Sequence, residues 1–150
     1  MFRFLKIKKF IKNINPKYTV RFSNYWSSAW WEDTVWVPIN RKKELEGDKE
    51  YLDFIEDRYH FRPNTYIISL LHEIGHLETE TEDLSNKRAI KYYALEYAFN
   101  DYAITKEEYY NQYFQIEAEI LATDWAVNYY KNNSEIINKL IKDLKLGGNA

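Results

Sequence analysis

The sequence predicts an α+β fold: a small N-terminal antiparallel sheet packed on a mostly helical body. Two observations locate the two parts. Period-two alternation and runs of β-branched or aromatic residues are confined to residues 18–39. Beyond residue 51, apolar residues recur at helical spacing behind recognisable start signals. A third sets the domain count. The chain has 150 residues, 45% of them hydrophobic, with only 4 Gly and 3 Pro, which suits one domain over residues 1–150 with a single core.

The elements follow in order. Residues 1–17 carry Arg3, Lys6, Lys8, Lys9, Lys12 and Lys17 and no acid. Phe4, Ile7, Ile11 and Ile14 recur there at helical spacing, which predicts a basic amphipathic helix. Its apolar stripe packs on the core, or the helix meets an acidic partner or a membrane surface. Tyr18, Val20 and Phe22 alternate with Thr19 and Arg21 as in a strand, and Thr34 to Ile39 is a second strand. Between them Trp26 to Trp31 is aromatic, with Glu32-Asp33 as a turn. Arg41 to Glu50 is charged and reads as an exposed loop, and 51–59 as a short helix. Asn64 or Thr65 then starts a helix over about 66–78. A further helix covers roughly 84–99. The pair Thr105/Glu108 forms a capping box ahead of one long helix over about 106–130. Ser134 caps a last helix, closed by Gly147-Gly148.

Composition excludes some chemistry. A net charge of −2 provides no global field toward nucleic acid. The chain has no cysteine, so any metal must be held by His, Asp, Glu or water. Charges interrupt the first apolar residues too often for a signal peptide, and no segment approaches the ~20 apolar residues of a membrane span. Together these point to an intracellular setting.

One stretch carries chemistry. His72-Glu73-Ile74-Gly75-His76 is a His-Glu-x-x-His motif inside a predicted helix. Histidines four apart project from one helical face and can share a Zn²⁺. Glu73 beside them can take a proton from a water activated by the metal. A catalytic zinc takes three protein ligands, so a third must come from elsewhere. The remaining histidine, His60, precedes the motif, which leaves Glu117, Glu119 and Asp124 on the long predicted helix. On a continuous helix Glu117 is flanked by Tyr113, Phe114, Ile120 and Leu121 and lies on the apolar stripe, where a carboxylate requires a partner. Glu117 is therefore assigned as third ligand, with Glu119 next. Asp124 either orients a ligand histidine from behind or simply pairs with a cation. His60 and Tyr66, Tyr109 or Tyr113 are candidates for oxyanion stabilisation that nothing in the sequence separates.

These residues resemble those of small zincin-type metallopeptidases, in particular the ImmA/IrrE-type peptidases of phages and mobile elements. That family follows its His-Glu-x-x-His with Glu-Ala-Asn-x-Phe-Ala, whose Glu completes the zinc site. Here Glu117-Ala118-Glu119-Ile120-Leu121-Ala122 stands in that place, with Glu119 where the family has Asn. The likeness covers roughly residues 64–126. It implies a zinc-dependent peptidase with His72, His76 and Glu117 as ligands, Glu73 as general base, and a peptide substrate. The order of elements in turn offers the edge of strand 34–39 for pairing with an extended peptide. The competing class is a non-enzymatic phage or mobile-element protein that keeps the fold for binding.

Overall fold

The computed structural model describes residues 2–39 and 45–146, and these form an α+β fold. Helix α1 (Phe2–Ile14) buries Ile7, Phe10 and Ile11 in the core and leaves Lys8 and Lys9 in solvent. The apolar stripe of the basic segment is thus a core face.

Strands β1 (Thr19–Ser23), β2 (Ser27–Ala29) and β3 (Thr34–Pro38) make a sheet in the order β1-β3-β2. The sheet is mixed, where an antiparallel one was expected. β1 runs parallel to β3, pairing Thr19 with Thr34 and Phe22 with Val37, while β2 is antiparallel to β3. The chain crosses from β1 to the far side of β3 before returning through a tight reversal, so β1 and β3 point the same way. A single 3₁₀ turn over Trp30–Glu32 makes that reversal, ended by Asp33 in the left-handed region at φ 50°. Val35 and Val37 of β3 are fully buried.

Helix α2 (Asp48–Tyr59) starts three residues earlier than its apolar pattern suggests, and His60 closes it at φ 61°. Helix α3 (Thr65–Thr79) carries the motif. The Asn64 side chain caps it by accepting from the Ile67 N–H at 3.1 Å. Ile67, Ile68, Leu70, Leu71 and Ile74 are fully buried, so α3 is covered on most sides and forms the axis of the domain. Helix α4 (Glu82–Asn100) buries only Leu95. It leans on α5 (Lys106–Tyr113), which opens with the expected capping box.

The long helix expected over 106–130 is broken. Gln115 and Ile116 donate to carbonyls three residues back, and Ile116 then takes an extended conformation. Phe114 and Ile116 both turn into the core at this break. Helix α6 (Glu117–Asn132) begins afresh and lies against α3, its main packing partner. Helix α7 (Ser134–Asp143) follows, with Asn133 rather than Ser134 at its N-cap position. The expected Gly147-Gly148 terminus and residues 41–44 of the expected loop lie outside the described residues. No helix among the described residues is long and apolar enough to cross a membrane.

Candidate metal centre

α3 and α6 meet at a glycine. A Cβ built on Gly75 would lie 2.4 Å from the Ala122 carbonyl oxygen, so only glycine permits this approach. The result is that one turn of α3 and the first turns of α6 face each other at backbone contact.

Across that contact His72, His76 and Glu119 converge. They are 9%, 6% and 0% exposed, values expected of hydrophobic residues rather than of ionisable ones. The Nε2 of His72 lies 2.9 Å from Glu119 Oε2 and that of His76 lies 2.7 Å from the same oxygen. One ligand atom from each of the three falls within 4.8 Å of the others, a spacing suited to a metal ion.

The other nitrogen of each ring is anchored from behind. His72 Nδ1 is 2.9 Å from the Tyr51 hydroxyl and 3.1 Å from Thr123 Oγ1. His76 Nδ1 is 2.8 Å from Glu80 Oε2, one turn on. Fixing Nδ1 leaves both Nε2 atoms aimed at a common point, the arrangement metal-bound imidazoles need. On its other side Glu119 Oε1 is buried, with Arg88 Nη1 at 3.7 Å and the Tyr113 hydroxyl close enough to feel the carboxylate. Two imidazole nitrogens and the carboxylate oxygen Oε2 crowded together out of solvent are a donor set that a cation would satisfy. The three residues therefore fit a divalent cation, and two imidazoles with one carboxylate are a set zinc accepts.

Charge is concentrated here. Burial opposes charging His76, but the carboxylates of Glu119, Glu80 and Glu73 outweigh it and lift its pKa to about 10. Burial likewise opposes ionisation of Glu119, yet both histidines hold it well below the ordinary carboxylate value. Burial and then Glu119 keep the Tyr113 phenol protonated far above its usual range.

The geometry groups Glu119, and not Glu117, with the two histidines: Glu117 is exposed at the first position of α6, and Glu119 is buried between α6 and α3. The reason is the break at 114–116: Tyr113 ends α5 and Phe114 lies in the break, so neither stacks one turn under Glu117. Within α6 the buried face runs Glu119, Ala122, Thr123, Ala126, Tyr130. Asp124 faces away and accepts from the Tyr59 hydroxyl, so it does not orient a histidine. His60 is exposed at the end of α2.

Glu73 is half-buried and accepts from the Ser28 hydroxyl at 2.8 Å, which ties the motif helix to β2. A cleft of about 300 Å³ opens there, bordered by Ser27 and Ser28 of β2, Trp31, Glu73, His76 and Arg88. Two of the sequence expectations change at this cleft. β3 is paired on both sides, so the strand at 34–38 cannot add a peptide; the strand beside the cleft is β2, whose second edge is unpaired among the described residues. Of the candidate tyrosines, Tyr113 lines the cleft, Tyr109 donates to Glu96 at 2.6 Å, and Tyr66 packs on Trp26.

Several groups of this centre escaped sequence reasoning. Glu80 stands four residues after His76 and Thr123 four after Glu119, spacings that mark shared helical faces and are readable in hindsight. Tyr51, Ser28 and Arg88 come from other elements and leave no such signal. Set against family models, curated proteins and solved structures, the chain matches none.

Proposed function

We propose that the protein is a zinc-dependent metallopeptidase with His72, His76 and Glu119 as the metal ligands and Glu73 as general base. The observation that carries this reading is the pair of Nε2 atoms converging with a buried carboxylate oxygen, each imidazole held through Nδ1, with the motif glutamate on the adjoining cleft.

A zinc ion bound there supplies Lewis acidity, lowering the pKa of a water and polarising a carbonyl. Glu73 takes the proton from the attacking water and passes it to the leaving amine. The Ser28 hydroxyl fixes the carboxylate for that task. Arg88 and Tyr113 border the same cleft and are positioned to donate to charge that develops there. The open edge of β2 offers backbone N–H and C=O groups to an extended chain. A cleft bordered by Trp31 and two serines, with Arg88 the one Lys or Arg along it among the described residues, suits a peptide better than a nucleic acid.

The test is elemental analysis joined to a cleavage assay on denatured protein substrates. The native chain should hold about one zinc and produce new peptide termini. Glu73→Gln should keep the zinc and lose cleavage. A variant that cleaves as well as the native chain would remove Glu73 as base, and a protein that takes up no zinc after reconstitution would remove the whole reading.

A further inference from the structure

A second cavity of about 270 Å³ adjoins the cleft and shares Trp26, Glu73, Tyr92 and Tyr113 with it. Helix α3 runs past both: Ser69 and His72 face the second cavity, His76 faces the cleft, and Glu73 borders each. The general base proposed above therefore stands where the two spaces meet. A peptide whose scissile bond lies at Glu73 would send a neighbouring side chain into the second cavity.

We infer that this cavity is a specificity subsite and that it takes an aromatic side chain. The inference rests on the peptidase reading for the nature of the substrate. Four features of the cavity select the side chain.

The first is size. A void of roughly 150 Å³ already holds a benzene ring, so the space accommodates Phe, Tyr or Trp. The second is the wall. Trp26, Tyr110, Tyr113 and Phe114 bring rings to it, and rings attract rings in tilted and edge-to-face contact beyond what area burial alone provides. The third is how the tyrosine hydroxyls are used. Tyr51 is bonded to His72 and Thr123, and Tyr109 to Glu96. With those hydroxyls already bonded, the rings contribute mainly carbon surface.

The fourth is charge. Glu46, Asp48 and Glu73 border the cavity, and no Lys or Arg does so among the described residues. An acidic side chain would be repelled. A lysine would lose hydration among the rings, and Tyr110 already carries a cation, Lys106 Nζ at 5.9 Å from its centroid. An aromatic ring meets neither cost.

The experiment uses the full zinc-loaded chain and does not depend on turnover. The amides of N-acetyl-phenylalanine, N-acetyl-lysine and N-acetyl-aspartate are each titrated and followed by ligand NMR. The phenylalanine amide should saturate at a concentration at least roughly 10-fold lower than the others, a factor within reach of one apolar pocket. Ser69→Leu, which directs a larger side chain into the cavity, should weaken that binding about as much while the zinc content stays the same. If Ser69→Leu does not fold, the ranking on the native chain decides alone. Equal binding of the three amides, or preference for lysine, overturns the inference. Profiling of cleaved peptides separates the two readings. Cleavage with no aromatic residue enriched at a fixed position beside the bond removes the subsite and leaves the peptidase standing. Phenylalanine binding with no cleavage of any peptide supports the subsite and removes the peptidase.

Discussion

Gly75 meets the backbone of Ala122 so closely that a methyl group on it would sit 2.4 Å from the carbonyl oxygen. Two effects of Gly75→Ala therefore oppose each other. In an exposed helix the change would stabilise by roughly 0.5–1 kcal/mol, since glycine is the poorer helix former. Here the added methyl meets backbone, which cannot swing aside, and overpacking of that kind costs about 1–3 kcal/mol or more. The second effect wins. Gly75→Ala should lower the melting temperature by several degrees, at roughly 2–4 °C per kcal/mol for a chain of this size. It should also weaken zinc binding, because α6 carries Glu119 and must move away from the histidines. A melting temperature equal to or above that of the native chain would show that the two helices are not in backbone contact.

The identity of the third ligand separates two residues two positions apart. Glu119→Ala leaves the histidines without their shared carboxylate and removes a metal donor from the buried cluster. Loss of a single outer partner usually costs 10- to 100-fold in metal affinity, so loss of a ligand should exceed roughly 100-fold. Glu117→Ala, at an exposed position, should change affinity less than about twofold by the same measure. Competition for zinc with a chromogenic chelator reads both. The reverse ranking would return the assignment to Glu117.

How far the sequence reached can be judged from these residues. His72, Glu73 and His76 were legible because the motif is local: its spacing alone sets one helical face. That Glu119 and not Glu117 converges with the histidines was not legible, because the apolar stripe around Glu117 assumes one unbroken helix and no glycine or proline marks the break at 114–116. The break is made by burial of Phe114 and Ile116, a tertiary effect. The α+β division was legible for the same reason as the motif, since alternation and helical period are local. The parallel pairing of β1 with β3 was not, because it depends on where the chain crosses between distant partners. Tyr51 and Ser28 reach the site from elements whose placement only the fold determines.

The buried charges predict a pH dependence for the metal-free chain. The pKa of His76 rises from 6.5 to about 10 on folding, because the carboxylates of Glu119, Glu80 and Glu73 outweigh the effect of burial. A raised pKa contributes stability that is fully present below pH 6.5 and is lost as pH climbs through about 10. Glu119 has the opposite sign. Its folded pKa is depressed, so its contribution is present above its ordinary value of 4.5 and is lost as pH falls through the lower, folded value. Chelator-treated protein should therefore lose resistance to urea steadily between pH 6.5 and about 10, and His76→Asn should flatten that slope. Zinc must displace the His76 proton, so binding near neutral pH should release about one proton per ion. Calorimetry in buffers of different ionisation enthalpy counts it. Release of none would mean that His76 is already neutral before metal arrives.

Ser28 joins the sheet to the motif helix through one hydrogen bond, its hydroxyl donating to Glu73 Oε2 at 2.8 Å. The bond does two things: it sets the direction of the carboxylate, and it fixes β2 at the border of the cleft. Ser28→Ala removes the donor and little volume. Helix α3 is buried independently of it through Ile67, Ile68, Leu70, Leu71 and Ile74, so the fold should hold. The Ser28 hydroxyl is bonded to Glu73, and Ser28 is not one of the three residues grouped as candidate metal ligands, so metal content should also hold. A hydrogen bond of this kind is worth about 1 kcal/mol net, which corresponds to a rate loss of roughly 3- to 10-fold if it acts only on the orientation of the base. The loss should fall on kcat, with KM nearly unchanged. A rise in KM with kcat unaltered would assign Ser28 to holding the β2 edge in register for the substrate, and not to Glu73. Substituting threonine, which keeps the hydroxyl, should restore most of the rate under the first assignment. Under the second, the extra methyl on an edge strand beside the cleft would lower substrate affinity further.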